Sequence, residues 1–193
     1  MRLKIQRSKT EEDLVKGCKA NKALAQRLVY ERYAGKMFSL CIRYIRDHSE
    51  SEEVMIGGFT KVFEKISQFK GDGSFEGWIR RIMVNESLIY LRKNKSMYLE
   101  VDICEADREP DFQSHETGLE AEDLMKMIQE LPVGYRTVFN LYAIEGYSHK
   151  EIADRLTINV NTSKSQLSRA RKILQKMLVE RENWVESKLV SYE

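Results

Sequence analysis

Apolar residues recur at spacings of three to five positions along three long stretches in the first half of the chain. The three sets are Leu24, Leu28, Tyr33, Met37, Leu40, Cys41 and Tyr44; Val54, Met55, Phe59, Val62, Phe63 and Ile66; and Trp78, Ile82, Met83, Leu88 and Leu91. This spacing places each set on one face of an α-helix, so it predicts three amphipathic helices. Ser49 or Ser51 is the expected N-cap of the second helix, and Ser74 is the expected N-cap of the third.

The second half of the chain shows helical periodicity in four shorter segments. The first is predicted from Leu119 to about Glu130, and the second begins at Pro132, a residue that suits the start of a helix. That second helix is expected to end at Gly146, since glycine favours a helix C-terminus. The segments SHKEIADRL and VNTSKSQLSRARKILQKML follow as two more helices. The sequence shows no hairpin signal and no βαβ pattern, so the predicted fold class is all-α.

A short acidic segment separates the two helical halves. Residues 99–123 have a charge balance of −9, whereas residues 1–98 have +8 and residues 124–193 have +3. Residues 99–118 also contain Pro110 and Gly118 and little apolar periodicity, which is typical of a flexible linker. We therefore predict two small helical domains, at 1–98 and 119–193, joined by an acidic linker at 99–118. The basic domains favour a polyanionic partner.

Composition excludes several classes of protein. No apolar run of about 18 residues exists and the N-terminus lacks the apolar core of a signal peptide, so we expect a cytoplasmic protein without direct membrane insertion. The widely separated Cys18, Cys41 and Cys104 are predicted to be free thiols. The histidines are scattered, so no metal site is expected. No nucleophile–base pair or phosphate-binding glycine loop stands out, so we expect neither an enzyme nor a cofactor.

The segment from Tyr147 to Leu174 has the pattern of two helices joined by a tight turn. Ser148 and Glu151 form a capping-box pattern at the start of the first helix, and Asn159 is a strong N-cap for the second. The small Ala153 suits a steep helix crossing, and Ile158 in the turn is expected to enter the core. The apolar faces carry Ile152, Ala153 and Leu156 in the first helix and Leu167, Ala170 and Leu174 in the second.

The opposite face of the second helix is polar and basic. It carries Asn161, Lys164, Ser165, Ser168 and Arg171, with Arg169 at the edge. Small polar residues allow close approach to a DNA groove, while Lys and Arg contact guanine edges or phosphates. An ordinary solvated face would show similar charges. Four features occur together here: a capped first helix, a small residue at the helix crossing, a three-residue turn and a basic second helix. This combination favours a DNA-binding helix-turn-helix over an ordinary solvated face.

Two separate blocks of sequence resemble a known family. The block LPVGYRTVFNLYAIEGYSHKEIADRLTINVNTSKSQLSRARKIL resembles region 4 of bacterial RNA polymerase sigma factors. The block LVYERYAGKMFSLCIRYIRDHSESEEVMIGGFTKVFEKISQFKGDGSFEGWIRRIMVNESLIYLRKNK resembles region 2. With only these two regions and a short linker, the chain is similar to the extracytoplasmic-function (ECF) group of the sigma-70 family. The resemblance covers about residues 20–178, and two blocks in the right order make it specific.

The resemblance implies a function and partners. A sigma factor binds core RNA polymerase at its clamp and flap regions, directs it to the −35 and −10 elements of promoter DNA and helps to open the duplex. An anti-sigma factor is a further candidate partner. The linker of this family runs toward the RNA exit path, where acidic groups can mimic nucleic acid. The competing hypotheses are a stand-alone helix-turn-helix regulator and a helical protein-interaction module without promoter activity.

The resemblance and the surface pattern together predict three sets of site residues. The −35 set is Tyr142, Asn161, Lys164, Ser165, Ser168, Arg169 and Arg171. The −10 set is Lys70, Gly71, Asp72, Gly73, Ser74, Phe75, Arg80, Arg81 and Asn85. In this set the glycines allow close backbone approach to a base or phosphate, and the arginines neutralise phosphates. Arg92, Lys93 and Lys95 would also neutralise phosphates. The polymerase-binding set is Glu52, Glu53, Ile56, Phe59 and Phe63. Phe75 and Trp78 could each stack on a base or pack in the core.

The sequence departs from the family pattern at four positions. Ile56 and Gly57 stand where the family usually has Gln and an acidic residue, and Ile89 stands where many members have Asp. The pair Gly57–Gly58 should weaken its helix by about 1 kcal/mol per glycine relative to alanine. Thr157 replaces a turn glycine. Because a β-branched residue is unfavourable at positive φ, we expect either a turn with negative φ or a slightly strained one.

Overall fold

The computed structural model describes the backbone at 10–94 and 121–190 and the side chains at 10–94 and 123–181. Every regular element in these ranges is helical, which confirms the all-α prediction. The chain divides into two compact units, Met1–Tyr90 and Leu91–Glu193. The acidic linker at 99–118, the predicted helix start at Leu119, Lys95 and Cys104 lie outside the described residues. The predicted domain limits at 98 and 119 therefore stay predictions.

The first unit contains four α-helices and one short 3₁₀ helix. They are α1 (Glu11–Lys19), α2 (Ala23–Ile45), α3 (His48–Glu64), the 3₁₀ helix Ile66–Gln68 and α4 (Phe75–Lys93), whose last three residues lie beyond the unit boundary at Tyr90. The core of this bundle is formed by the apolar faces of α2, α3 and α4 together with the buried side of α1. Its members include Leu14, Val29, Met37, Leu40, Val62, Ile79, Met83 and Leu88. The three long helices predicted from apolar spacing are confirmed.

Helix α1 was not predicted. Its N-cap is Thr10, whose hydroxyl accepts a hydrogen bond from the Asp13 N–H at 3.2 Å. The Asp13 carboxylate in turn accepts from the Thr10 N–H at 3.4 Å, which completes a capping box. The Thr-x-x-Asp spacing was the available signal. Only Leu14, Val15 and Cys18 of this helix are buried, which is too few for a clear periodicity.

Two details of the predicted helices were wrong. In α2 the predicted apolar stripe begins with Leu24, but that side chain is 58% exposed. The first buried positions of this helix are Ala25 and Val29. In α3 the N-cap is Asp47, which accepts a hydrogen bond from the Glu50 N–H at 2.8 Å. The predicted cap Ser51 is instead fully buried, and its hydroxyl donates to the Asp47 carbonyl.

The second unit contains α5 (Ala121–Glu130), α6 (Val133–Phe139), a π-helical segment (Asn140–Ile144), α7 (His149–Leu156) and α8 (Val160–Val190). The helix predicted from Pro132 to Gly146 is thus divided into α6 and the π segment. Pro132 is the N-cap of α6, and Gly146 has a φ of +77° just beyond the π segment. The core joins α5 to α8 through Met127, Ile128, Leu131, Ala170 and Leu174.

Arg136 in α6 is a charged residue at the centre of this unit. It is 1% exposed, and its guanidinium donates to the carbonyls of Gln129 at 3.0 Å and Leu131 at 2.9 Å. These carbonyls lie at the end of α5, where backbone acceptors have no partner within the helix. Arg136 therefore caps α5 and fixes the α5–α6 corner.

Cys18 and Cys41 are free and buried, as predicted for thiols without a disulfide partner. Burial raises the pKa of the Cys41 thiol to about 11, so this sulfur is a poor nucleophile. Among the described helices, none is both long and apolar enough to cross a membrane.

The two adjacent glycines of α3 differ in their surroundings. A Cβ at Gly58 would lie 2.3 Å from the Met83 sulfur, so α3 and α4 approach closely there. A Cβ at Gly57 would meet nothing within 4 Å. A Cβ at position 58 would therefore require the Met83 side chain to move, whereas packing places no requirement on Gly57.

We predict that Gly57→Ala raises the free energy of unfolding by about 0.5–1 kcal/mol, because alanine is the better helix former. Gly58→Ala has the same helix-forming advantage, but it overpacks the fully buried Met83 at a typical cost of about 1–3 kcal/mol. Gly58→Ala should therefore be the less stable of the two by that amount in urea unfolding. Equal stability of the two variants would contradict the close α3–α4 contact.

Candidate nucleic-acid interface

Helices α7 and α8 form the predicted helix-turn-helix. The Ser148 N–H donates to the Glu151 carboxylate at 2.9 Å, and the Glu151 N–H donates to the Ser148 hydroxyl at 3.3 Å, so the capping box is confirmed. The backbone N–H and then the hydroxyl of Ser148 hold the pKa of Glu151 below its ordinary value. Asn159 caps α8 by accepting from the Asn161 N–H at 2.8 Å. These caps define where each helix begins.

The turn between α7 and α8 is strained at Thr157. Its backbone is left-handed, with φ of +57° and ψ of +44°. The expectation of a negative φ is therefore wrong, and the strained alternative is correct. The N–H groups of Thr157 and Ile158 both donate to the Ala153 carbonyl, so the strained residue closes the end of α7.

Four side chains from three elements hold the helix-turn-helix together. His149 Nδ1 lies 2.9 Å from the hydroxyl of Ser163, which is fully buried, and this hydrogen bond joins α7 to α8. The His149 ring stacks on Tyr142 of the π segment with centroids 4.5 Å apart. The Arg171 guanidinium lies 5.8 Å from the centroid of the Tyr142 ring. Sequence reasoning missed the hydrogen bond between His149 and Ser163, although a polar residue at an inward helix position was a signal for it.

The predicted −35 residues all have surface exposure. Asn161 and Lys164 are exposed, while Ser165, Ser168, Arg169 and Arg171 are half-buried. Ser165 donates to the Thr162 carbonyl of its own helix at 3.0 Å, and Arg169 donates to the Tyr135 hydroxyl at 3.3 Å. Lys164 and Asn161 thus present the most accessible polar groups of this face.

Tyr142 lies in the π segment and is 36% exposed. A π segment displaces the side chains that follow it from regular helical positions, and such segments are frequent at functional sites. Here the segment places the Tyr142 ring against His149 and beside Arg171. Tyr142 therefore lies at the same surface as α8, as its predicted role requires.

The glycine loop of the first unit is exposed at the start of α4. Lys70, Gly71, Asp72, Gly73 and Ser74 are all exposed. Both glycines have a φ near +90°, a conformation that other residues rarely adopt. Ser74 caps α4 as predicted, since its hydroxyl accepts from the Gly77 N–H at 3.3 Å. A cavity of about 420 Å³ lies between this loop and α1.

Phe75 was predicted either to stack on a base or to pack in the core, and in this structure it packs in the core. The side chain is 0% exposed. Its ring packs against Phe69 at 5.1 Å, Trp78 at 5.9 Å and Tyr33 at 6.0 Å between centroids. Trp78 is half-buried, in agreement with its interpretation as a packing residue. Phe75 therefore anchors the loop from within the core.

The exposed side of α4 continues from the loop. Arg81, Asn85 and Ile89 are exposed and lie one helical turn apart, so they share one face. Arg92 and Lys93 are exposed at the end of the helix, and Arg80 is half-buried. The −10 set apart from Phe75 thus lies on the loop and on this helix at accessible positions.

On α3, the predicted polymerase-binding residues separate into two groups. Glu52, Glu53 and Ile56 are exposed, with Ile56 at 50%, and Phe63 is half-buried. Phe59 is 2% exposed and packs against Tyr30 with ring centroids 5.0 Å apart. Its role as a polymerase contact stays a prediction, and in the free chain this side chain belongs to the core.

Family models match both units. Residues 29–97 match sigma-70 region 2 and residues 121–174 match sigma-70 region 4. Together these matches cover well over half of the chain, in the order that the family has. The chain therefore belongs to the sigma-70 family.

Relatives place the chain within that family. It is 27% identical to the RNA polymerase sigma-H factor of Pseudomonas aeruginosa, over 87% of this chain and 93% of that protein. It is 28% identical to the ECF RNA polymerase sigma factor SigW of Bacillus subtilis, over 78% of this chain and 87% of that protein. The chain is a member of the ECF group.

A solved structure shares the fold. The sigma factor RpoE of Bartonella quintana, crystallised in complex with the anti-sigma factor NepR, matches with a TM-score of 0.50 and 21% identity. The match covers 79% of this chain and 95% of that chain.

We predict that Thr157→Gly stabilises the second unit, because glycine removes the strain of a left-handed Cβ, which costs about 1–2 kcal/mol. Part of this gain is offset, because glycine has more conformational entropy to lose from the unfolded chain. Thr157→Ala is the matched control, since it keeps the Cβ that causes the strain. Thermal unfolding followed by circular dichroism should show a higher midpoint for Thr157→Gly than for Thr157→Ala. The reverse order would show that the strain of a Cβ at this position is smaller than the entropy cost of ordering glycine.

Proposed function

We propose that this chain binds core RNA polymerase, directs it to promoters through contacts at the −35 and −10 elements, and promotes melting of the DNA. The observation that carries the proposal is the presence of both sigma-70 regions in one chain, each with its predicted polar surface accessible. The relatives with matching length are RNA polymerase sigma factors. A stand-alone helix-turn-helix regulator would have no use for the region 2 unit.

Contact with the −35 element is assigned to α8. The accessible Lys164 and Asn161 lie near the N-terminus of this helix, the end that a recognition helix presents to base edges in the major groove. Arg169 and Arg171 lie two turns further along and suit phosphate contacts, which position the helix without reading sequence. Tyr142 adds a polar hydroxyl at the same surface.

Contact with the −10 element is assigned to the glycine loop and the exposed face of α4. Opening of the duplex exposes single-stranded bases, and extrusion of one base costs a few kcal/mol. The exposed backbone of Gly71 and Gly73 can approach such a base closely. Asn85 offers both hydrogen-bond donors and acceptors, and Arg81 one turn earlier offers a cation for phosphate. Phe75 supports this surface from beneath and does not touch DNA.

Polymerase binding is assigned to the exposed side of α3. Glu52 and Glu53 supply negative charge, and Ile56 supplies an apolar contact where relatives commonly carry Gln. Gly57 beside Ile56 leaves the helix backbone open, so a partner helix can approach closely there. Region 4 would bind the flap of the polymerase.

The remaining parts of the proposal follow from the sigma role. The chain acts in the cytoplasm, where the polymerase and the DNA are, and it supplies recognition rather than its own enzymatic chemistry. We propose an anti-sigma factor as a further partner, because the sigma factor RpoE of Bartonella quintana, which shares the fold, was solved in complex with the anti-sigma factor NepR.

Run-off transcription tests the function. We expect purified chain to convert core polymerase from non-specific to promoter-specific initiation on genomic promoter fragments of its own organism. No specific start site with any fragment would contradict the proposal. Binding to a palindromic site in the absence of polymerase would favour a stand-alone regulator instead.

The −35 assignment is tested by Lys164→Ala. If Lys164 contacts a base edge, its loss should weaken binding of the holoenzyme to promoter DNA by about 1–3 kcal/mol. The control is Lys176→Ala, which removes an equal charge about 18 Å further along the same helix. Binding isotherms of both variants at one fixed salt concentration give the comparison. An equal loss in both variants would indicate only a general charge effect.

A further inference from the structure

Helix α1 contacts both ends of the glycine loop of the first unit. At the start of the loop, Lys19 Nζ donates a hydrogen bond to the Phe69 carbonyl at 2.7 Å. At its end, the Glu11 carboxylate accepts from the Phe75 N–H at 3.4 Å. Glu11 and Lys19 stand at the two ends of α1, so this helix spans the loop from one end to the other.

Glu11 is itself held in place by the bundle. Its second carboxylate oxygen accepts from the Tyr33 hydroxyl of α2 at 2.8 Å. Burial, together with this hydrogen bond, raises the pKa of Tyr33 to about 12, so the hydroxyl remains a donor over the physiological range. The same carboxylate faces the N-terminus of α4, where the helix dipole favours negative charge. Glu11 thus links α1, α2 and the first residue of α4.

The attachment of α1 to α2 is equally close. A Cβ at Gly17 would lie 2.5 Å from the Ala25 Cβ, so a glycine is needed where the two helices meet. Leu14 and Cys18 bury their side chains on the same side of α1. Since α1 is firmly packed, its two polar ends form a fixed frame rather than a mobile arm.

The loop itself needs such a frame. Gly71 and Gly73 both have positive φ, and glycine loses more backbone freedom on ordering than any other residue. Between its two held ends, the loop borders the cavity of about 420 Å³ whose opposite wall is α1. Without the two hydrogen bonds the loop would sample more conformations, and each would present its backbone differently.

We propose that Glu11 and Lys19 are positioning residues that fix the Lys70–Ser74 loop for reading of the −10 element. Both lie before residue 29, where the region 2 match begins, so the family model assigns them no part. The inference rests on the proposed function for the role in reading DNA. The geometric part, which is the fixing of the loop, stands independently of it.

The first experiment measures amide hydrogen exchange in the full free chain. Glu11→Met and Lys19→Met should each speed exchange of the 70–75 amides about three- to tenfold, as expected for loss of one hydrogen bond of typical strength. Glu12→Met and Lys16→Met are the matched controls: they line the same cavity, and no hydrogen bond within the described residues ties them to the loop. Unchanged exchange in Glu11→Met and Lys19→Met would overturn the positioning role.

The second experiment measures promoter use by the reconstituted holoenzyme. Initiation is compared between a promoter with its own −10 element and one with a substituted −10 base, on duplex DNA and on DNA already unpaired at −10. Glu11→Met and Lys19→Met should reduce discrimination between the −10 bases about three- to tenfold. Lys19→Arg should retain it, because arginine can also donate to the Phe69 carbonyl.

The outcomes separate three explanations. The variants could instead lose initiation equally on all templates, keep their −10 discrimination and melt at a lower temperature. That result would show that Glu11 and Lys19 only stabilise the fold, and it would overturn their role in reading. Faster exchange with reduced discrimination supports the inference. Failure of the wild-type chain to start at any promoter would overturn the proposed function and the reading role together, while the exchange experiment would still decide whether α1 fixes the loop.

Discussion

The buried ring of Phe75 is the contact on which the first unit depends. It lies at the first residue of α4 and packs against Tyr33 from α2, Phe69 from the segment before the loop and Trp78 from the next turn. Aromatic rings bury large apolar surfaces and prefer such edge and offset arrangements. Because Phe69 and Phe75 stand on either side of the glycine loop and touch each other, the ends of that loop are closed on the core. The polar residues between them are consequently displayed at the surface.

The second unit achieves the same result with polar contacts. Arg136 joins α5 to α6, and the hydrogen bond between His149 and Ser163 joins α7 to α8. Buried polar groups are costly unless they are paired, so these bonds favour one arrangement of the helices over others. Thr157 in its left-handed conformation completes the turn. The face of α8 is therefore held at a defined angle to α7, which a groove-reading helix requires.

Periodicity in the sequence predicted the long helices and the helix-turn-helix, because each buries a regular stripe of apolar residues. Periodicity could not predict the location of a side chain whose residue type is common both in cores and at contact surfaces. Phe75 follows a glycine loop and could stack on a base or fill the core, and only packing distinguishes the two. Phe59 matched a family contact position, yet its side of α3 faces Tyr30. Arginine is a residue type usually found at the surface. Arg136 is buried because the α5–α6 corner brings together the backbone carbonyls that accept its hydrogen bonds.

The central claim is that one chain makes two separate DNA contacts within one polymerase complex. Site-specific photo-crosslinking tests it most directly, with a photoreactive residue in place of Asp72 in the loop or of Asn161 on α8. Both positions are exposed, so the probe should not disturb the core. In the open promoter complex we predict crosslinks from position 72 to the −10 element and from position 161 to the −35 element. Crosslinks from both positions to the same element, or from position 72 to protein alone, would contradict the claim.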